Sequence, residues 1–189
     1  MATQFAKIGP EHRHFIERQK IFFVASAPPR GRVNVSPKGL SSFRVLGDND
    51  VAYLDCTGSG SETRAHLMAC DDGRLTIMFC AFEGAPVILR LYGRGQSIMR
   101  GTPEYAALLP HFDDMPGARQ IVRLAVDLVQ TSCGLGVPLF DYKEERGGLI
   151  RYWTAKGFDH LRSYWSQKNT KSIDNLPTGF APERMIPQR

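Results

Sequence analysis

Apolar and polar residues alternate along much of the chain, and this alternation is its clearest structural signal. The segment "RVNVS" places Val33 and Val35 on one side and Asn34 and Ser36 on the other, which is the two-residue period of a half-buried strand. Similar alternation, or short apolar runs between turn residues, predicts six strands at residues 21–27, 32–36, 51–55, 74–82, 87–99 and 120–132.

The order of these segments indicates the fold class. Helical patterns begin at Pro10 and at Thr102, but helices do not alternate regularly with strands, so the pattern is not that of a parallel βαβ sheet. It favours an α+β fold that is mainly β, with an antiparallel barrel-like sheet and short flanking helices. In the long fifth strand, Gly93 and Gly95 predict a bend or a bulge.

The texture of the sequence changes near residue 137. The segment that follows is polar and rich in turn residues, and a helical pattern then places Phe158, Leu161 and Trp165 on one face. We therefore divide the chain into a barrel domain, residues 1–136, and a C-terminal extension, residues 137–189. The extension is expected to pack on the barrel or on a partner chain.

Composition narrows the functional classes. The 189 residues are 42% hydrophobic and 23% charged, as in an ordinary globular protein, and the net charge is +5. The basic residues form no run of five, so a nucleic-acid partner lacks support. The four cysteines have neither zinc-site nor disulfide-framework spacing, and no signal peptide or membrane-spanning run is visible. The expected location is the cytoplasm, with no membrane partner.

The segment "CTGSGSETRAHL", residues 56–67, is the first candidate for chemistry. Small turn residues lie between a predicted strand and a predicted helix, and Ser59 and Glu62 have capping-box spacing, which predicts a helix start near Gly60. A helix start attracts anions, and Thr63 and Arg64 could add a hydroxyl and a charge. The alternative is a capped helix with a solvated arginine.

Two further segments carry cations in unusual places. In "VNVSPKG", Pro37 is expected to break the strand and Lys38 to project beyond it, although a plain exposed strand end is the simpler interpretation. Arg90 lies in an otherwise apolar strand, where a charge must be paired, exposed or functional. His66 has no histidine partner at ligand spacing, and no cluster of ligands predicts a metal site.

Several motifs in order resemble a known family. The series "RVNVSPKG", "VAYLDCTGSGSETRAHL" and "RLTIMFCAFEGAPVILRLYGRG" is similar to the pyridoxamine 5′-phosphate oxidase-related, FMN-binding split-barrel proteins. The C-terminal "KNTKSIDNLPTG", residues 168–179, resembles one branch of that family. The similarity covers roughly residues 15–135 and this tail segment.

The resemblance implies a six-stranded antiparallel split barrel and a homodimer with FMN at the interface between its chains. It implies that hydroxyl and basic side chains hold the flavin phosphate, here Ser36, Lys38, Ser61, Thr63 and Arg64. It also implies that the backbone near Val35, Leu54 and Asp55 faces the flavin ring and that Arg90 reaches the ring edge.

The chain departs from the oxidase itself. It has "RVNVSPK" and "ETR" where the oxidase has an Arg-x-Val-Leu-Leu-Lys strand and a Ser-Arg-Lys triplet, so we expect a substrate other than pyridoxamine phosphate. The first hypothesis is an FMN-dependent oxidoreductase acting on an unidentified small molecule. The alternative is a non-catalytic binder of flavin, haem or deazaflavin. No catalytic residue is assigned; Tyr53, His66 and Trp165 are the candidates, and His66 is the candidate haem ligand.

Overall fold

The computed structural model describes residues 2–113 and 115–182. The strands are β1 (Thr3–Phe5), β2 (Phe22–Ser26), β3 (Asn34–Lys38), β4 (Phe43–Gly47), β5 (Asp50–Cys56), β6 (Arg74–Cys80), β7 (Val87–Met99) and β8 (Ala118–Cys133). The helices are α1 (Pro10–Arg18), α2 (Glu62–Ala69), α3 (Pro103–Leu108) and α4 (Gly148–Lys168), with a 3₁₀ turn at Leu109–His111 after α3.

The strands form one antiparallel sheet in the order β3-β2-β6-β7-β8-β5-β4, and β1 pairs with the far end of β8. The predicted fold class is confirmed: a mainly antiparallel sheet of split-barrel type, with short helices and a C-terminal helix. The described chain has eight strands, two more than expected. β1 has three residues, and the five residues of β4 are all half-buried, so neither strand shows the alternation that identified the others.

Strand β3 differs from its prediction in a way that matters for the site. The strand runs to Lys38 with Pro37 inside it, so the expectation that Pro37 breaks the strand is wrong. β3 is an edge strand that pairs only with β2 in the sheet order, and an edge tolerates a residue without an N–H donor. The longer strand carries Lys38 alongside Phe22.

The predicted bend in β7 lies at Gly93. The register of β7 against β8 shifts between Tyr92 and Gly93. A Cβ atom at Gly93 would lie 1.9 Å from the carbonyl oxygen of Ala125, so no side chain fits there. The prediction of a bulge is confirmed, and the glycine permits the close approach of the two longest strands.

The barrel interior holds the largest apolar cluster. Alternate residues of β2, β6 and the first part of β7 point into it. At its aromatic centre, the ring centroid of Phe22 lies 5.6 Å from that of Tyr53 and 5.8 Å from that of Phe79. A second cluster lies on the opposite face of β5 and β8, beneath α3. Because β5 and the first half of β8 are covered on both faces, their polar residues are buried as well.

The C-terminal extension packs on this chain's own barrel. Residues 138–146 have no regular structure, and α4 follows with a kink at Gly157, where φ is +74°. Of the predicted helical face, Leu161 and Trp165 are buried and Phe158 is partly buried against them, and Trp153, which was not predicted, joins the same cluster. Among the residues described, no helix is both long enough and apolar enough to span a membrane.

Candidate functional site

A polar pocket opens between β3, the start of α2 and the residues that follow α4. Its volume is about 730 Å³, within the range of sites that hold small molecules and cofactors. Five basic side chains line it against two acidic ones: Arg32, Lys38, Arg119, Lys168 and Lys171 against Asp55 and Glu62. This excess of positive charge suits the pocket to an anionic ligand.

The pocket floor, defined as Lys38, Asp55, Arg119 and Gln120, is a buried ionic network. Lys38 Nζ lies 2.8 Å from Asp55 Oδ1. The other carboxylate oxygen, Oδ2, accepts hydrogen bonds from Arg119 Nε at 2.8 Å and from Gln120 Nε2 at 2.7 Å. The Asp55 and Arg119 side chains are only 3% and 4% exposed. One carboxylate therefore fixes two cations beneath the pocket.

Asp55 stays ionised despite its burial. Burial acts to raise its pKa, but the charges of Arg119 and Lys38, with hydrogen bonds from Lys38 and Gln120, hold the pKa well below its usual range. The floor thus carries two positive charges against one negative charge. Its chemistry at neutral pH is electrostatic, because this carboxylate has no proton to donate.

The start of α2 adds hydrogen-bond donors to the same pocket. Its first N–H groups have no partners within the helix and form the positive end of the helix dipole. Ser61, the N-cap residue, lines the pocket and is 2% exposed, and its Oγ has no partner in the part of the chain that the structure describes. A buried hydroxyl without a partner destabilises the protein until a ligand or water satisfies it.

The predicted capping box does not form. α2 begins at Glu62, two residues after Gly60, with Ser61 rather than Ser59 at the cap. The Glu62 carboxylate turns outward instead and accepts the backbone N–H of Ile173 at 3.1 Å. The prediction was wrong because Glu62 is engaged by a segment more than 100 residues away, which local spacing does not reveal.

The tail, defined as residues 169–182, forms the outer wall of the pocket. It folds into a narrow turn in which Ser172 donates its N–H to the carbonyl of Leu176. Lys171 and Pro177 form an isolated antiparallel β-bridge across this turn. Asp174 pairs with Arg32 across the pocket rim, accepting the Arg32 backbone N–H at 2.7 Å as well as its guanidinium. These bonds from Arg32 lower the pKa of Asp174.

The structure brings five of the nine predicted cofactor-binding residues together. These are Ser36, Lys38, Asp55, Ser61 and Thr63, which all line the polar pocket. The other four lie outside its lining and are Val35, Leu54, Arg64 and Arg90. Val35 is 60% exposed on the edge strand, and Leu54 is buried in the apolar cluster behind the floor.

Arg64 turns away from the pocket and grips the tail. Its Nε donates to the carbonyl of Thr178, its Nη1 donates to Ser97 Oγ at 2.8 Å, and its guanidinium lies over the ring of Phe180. Burial lowers the pKa of Arg64 to about 10. Arg90 lies on β7, where it donates to Ser132 Oγ at 3.0 Å. Contacts of these two arginines with a flavin stay predictions.

The three candidate catalytic side chains are all buried. Tyr53 is 0% exposed in the barrel core, and burial, together with the charge of Asp55, raises its pKa well above the usual value. Trp165, also fully buried, donates to Thr57 Oγ1 at 2.7 Å. His66 is 2% exposed with its Nδ1 3.0 Å from Ser26 Oγ, and it does not line the pocket.

The described residues give little support for a reactive cysteine or for a metal site. Cys56 lines the pocket, but burial, reinforced by the Asp55 charge, raises its pKa to about 11, so it is a protonated thiol at neutral pH. The described ranges contain no group of three His, Cys, Asp or Glu side chains arranged to hold a metal ion.

The sequence analysis did not assign four residues that complete the pocket lining, namely Arg119, Gln120, Lys168 and Lys171, nor Asn169, which holds Arg119 from outside the lining. One signal was present: "ARQIV" puts Arg119 and Gln120 inside a strand that is otherwise apolar, and charges in such positions require partners. Asn169 carried no local signal, because its partner lies 50 residues away.

Comparison with known proteins adds the family. The family model described as "Pyridoxamine 5'-phosphate oxidase" matches residues 8–133, about two thirds of the chain. The chain belongs to the pyridoxamine 5′-phosphate oxidase family. It is 42% identical over 197 residues to a relative from Aspergillus flavus named pyridoxamine 5′-phosphate oxidase family protein ustO, covering 94% of this chain and 78% of the relative.

Solved structures of low sequence identity resemble the barrel to different degrees. A HupZ variant from Group A Streptococcus is 22% identical with a TM-score of 0.52, covering 66% of this chain and 99% of that one. A protein of Clostridium acetobutylicum related to general stress protein 26 is 15% identical with a TM-score of 0.45, covering 66% and 87%. The first similarity places the barrel among split-barrel folds and concerns the fold alone.

Proposed function

We propose that this protein binds FMN and that the flavin phosphate sits at the start of α2 in the polar pocket. The observation that carries the proposal is the Ser61 hydroxyl, a buried group without a partner in the described chain, on a residue that lines a pocket with excess positive charge. A phosphate would accept hydrogen bonds from that hydroxyl and from the N–H groups at the start of the helix, which have no partners within the helix. The family and the pocket volume support the same assignment.

The residues at this end of the pocket match the chemistry of a phosphate. Lys38 would supply a charge-assisted hydrogen bond, and Ser36, Ser61 and Thr63 would supply hydroxyl donors. Lys168 and Lys171 stand on the tail side without a carboxylate within ion-pair distance in the described ranges. They would add attraction at the pocket mouth, where solvent weakens each charge.

We propose further that the protein is an oxidoreductase acting on a small molecule. Bound FMN would supply hydride and electron transfer at its ring. The chain's part is to bind and orient: Asp55 holds Lys38 and Arg119 in place, and the tail covers one side of the pocket. The departures from the oxidase pattern keep a substrate other than pyridoxamine phosphate as the expectation.

We propose a homodimer as the working form. The mouth of the pocket borders edge strand β3, in which Val35 is 60% exposed, and Val33, just before the strand, is 69% exposed. Neighbouring apolar side chains left in water favour burial against another chain. Light scattering of the purified protein tests this directly: two chains per particle supports the dimer, and a monomer that persists with saturating FMN contradicts it.

A non-catalytic flavin carrier is the second candidate. It is favoured by one observation, that Tyr53 and Cys56 are too weakly acidic to exchange a proton at neutral pH. Turnover of reduced nicotinamide with an acceptor separates the candidates, since a carrier shows none.

The haem alternative receives no support at His66, whose ring is buried away from the pocket. The four cysteines are free, in keeping with the proposed reducing cytoplasm.

The experiment for the cofactor is an absorption spectrum of the purified, untagged protein, followed by heat release and chromatography. We expect a flavin spectrum and FMN released at about one copy per chain, as one phosphate site per chain requires. A colourless protein that also fails to take up added FMN would remove the proposed function. Released FAD or haem would replace the cofactor.

A further inference from the structure

A closed ring of hydrogen bonds joins the tail to the pocket floor. From Asp55 it runs through Arg119 Nε, and Arg119 Nη1 then donates to Asn169 Oδ1 at 2.7 Å. The Asn169 carbonyl accepts Thr178 Oγ1 at 2.6 Å. From there the ring passes through the Thr178 carbonyl, Arg64, Ser97 and Gln120, and it returns to Asp55.

The ring is buried almost throughout. Asn169 and Thr178 are 0% exposed, and Asp55, Arg119 and Gln120 are at most 3% exposed. Hydrogen bonds in such surroundings are strong, and a member left without its partner is costly. Partly opened states of the tail are therefore unfavourable, because moving the tail away would leave two buried guanidinium groups, those of Arg64 and Arg119, without hydrogen-bond acceptors.

A second set of contacts closes the tail from the outside. Asp174 holds the backbone and side chain of Arg32, and Ile173 donates its N–H to the Glu62 carboxylate at the start of α2. The tail thus reaches both ends of the pocket: its floor through Asn169, and its rim through Asp174. Local opening of the tail would release both at once.

We propose, resting on the proposed function, that Asn169 is a positioning residue through which the tail sets Arg119 and, across Asp55, Lys38. Ligand binding and tail closure are then linked: the ligand binds the closed form, and anything that opens the tail weakens ligand binding. By reciprocity, the factor by which opening weakens the ligand equals the factor by which the ligand suppresses opening.

Limited digestion with trypsin, with FMN as the probe, tests the linkage. Cleavage after Lys168 and Lys171 reports tail opening, since both lie at the junction of α4 and the tail. If only the closed form binds, FMN at 100 times its dissociation constant should slow cleavage at these lysines roughly 100-fold. Cleavage after Lys7 near the N-terminus should not change and serves as the internal control.

Variants complete the experiment. Asn169→Leu should speed cleavage in proportion to the rise in tail opening, and it should weaken FMN by the factor by which the closed fraction falls. Thr178→Val keeps a similar shape but removes the hydroxyl that donates to the Asn169 carbonyl and accepts the Phe180 N–H, and it should have both effects to a smaller extent. Thr178→Val also covers the case in which Asn169→Leu fails to fold. Gln167→Ala changes an exposed side chain two residues before the tail and should change neither quantity.

The outcomes separate this inference from the cofactor assignment. FMN binding by the wild type with unchanged cleavage at Lys168 and Lys171 would overturn the linkage and leave the proposed function standing. Cleavage of Thr178→Val at Lys168 and Lys171 that saturating FMN fails to slow would do the same. A wild-type protein that binds no FMN would overturn the proposed function and the inference together.

Discussion

Two large cavities among the described residues differ in how their walls are held. The polar pocket, about 730 Å³, is lined by strand ends, a helix start and a buried ionic floor. The second, which we call the aromatic cavity, is larger, about 830 Å³, and lies between α1, β2 and residues 140–145. Its outer wall is the stacked pair Phe82 and Phe140, and Phe140 is 59% exposed.

The two cavities show that volume alone does not identify a binding site. The aromatic cavity has the greater volume, but its outer wall is a segment without regular structure, and its side chains hold one another through exposed contacts such as Lys20 over Tyr142. In the polar pocket, buried groups converge on one point and one hydroxyl still lacks a partner. Preorganised polar groups of this kind mark a binding site more reliably than volume does.

The largest expected effect is on stability, from Asp55→Asn. The substitution leaves Lys38 and Arg119 beneath the pocket without a counter-charge, so we expect a loss of about 3–5 kcal/mol in the free energy of unfolding, measured in urea. Asp50→Asn on the same strand is the matched control. Its partner Arg123 is 42% exposed, so the loss should stay under about 1 kcal/mol. Equal losses would contradict a buried floor.

The next effect is on ligand affinity, from Lys38→Ala. Loss of a charge-assisted hydrogen bond should weaken FMN by about 1.5–3 kcal/mol, or roughly 10- to 150-fold, in a fluorescence titration. Lys20→Ala, which removes a cation from the aromatic cavity, should leave FMN affinity within about twofold of wild type. A reversed order of the two variants would move the phosphate to the other cavity.

The low pKa of Asp55 predicts how acid affects stability. A depressed carboxylate pKa stabilises the fold at pH values above the unfolded pKa, about 3.9, and this stabilisation is lost as pH falls toward the folded pKa. The advantage of wild type over Asp55→Asn should therefore shrink by about 1 kcal/mol between pH 5 and pH 3. Urea unfolding at both pH values measures it, and a constant difference would show that Asp55 is not held ionised.

Ser61→Ala should lower FMN affinity by an amount similar to the stability change just described, without lowering stability. The hydroxyl has no partner in the described chain, so its removal should leave the free energy of unfolding without ligand unchanged or raised by up to about 1 kcal/mol. FMN should bind about fivefold more weakly, or about 1 kcal/mol, because one hydrogen bond to the phosphate is lost. A destabilised protein with unchanged FMN affinity would show that Ser61 serves the fold.

The smallest effect is expected in the aromatic cavity, from Phe140→Ala. Its ring stacks on Phe82 with centroids 5.4 Å apart, but it is largely exposed, so the loss of unfolding free energy should be about 0.5–1 kcal/mol. FMN affinity should not change measurably in the same titration as above. An affinity loss that matches Lys38→Ala would remove the distinction between the two cavities.

Much of the sheet could be predicted from the sequence because its pattern is local. β7 has the predicted bounds, Val87–Met99, and β8 extends the predicted segment by two residues at its start and one at its end. β4 escaped because Arg44 and Gly47 interrupt a strand whose residues are all half-buried. Alternation reveals a strand only where one face is dry and the other is wet.

The site could be predicted only in part, because its geometry depends on tertiary contacts. Lys38 and Ser61 carried local signals, a strand end and a helix start, and both line the pocket. Arg64 carried the same signal as Thr63, but the tail draws its guanidinium to the other side of α2. Nothing local distinguishes Asn169 from the other three asparagines of the sequence, and its contact with Arg119 exists only after the tail has folded back.

The most direct test of the central claim is a comparison of FMN with riboflavin, which differ only in the phosphate. Titrations of the flavin-free protein should give an affinity for FMN at least about 100-fold above that for riboflavin, since a phosphate gains several charge-assisted hydrogen bonds. The gap should narrow in Lys38→Ala and in Ser61→Ala. Equal affinities for the two flavins would contradict a phosphate site at the start of α2.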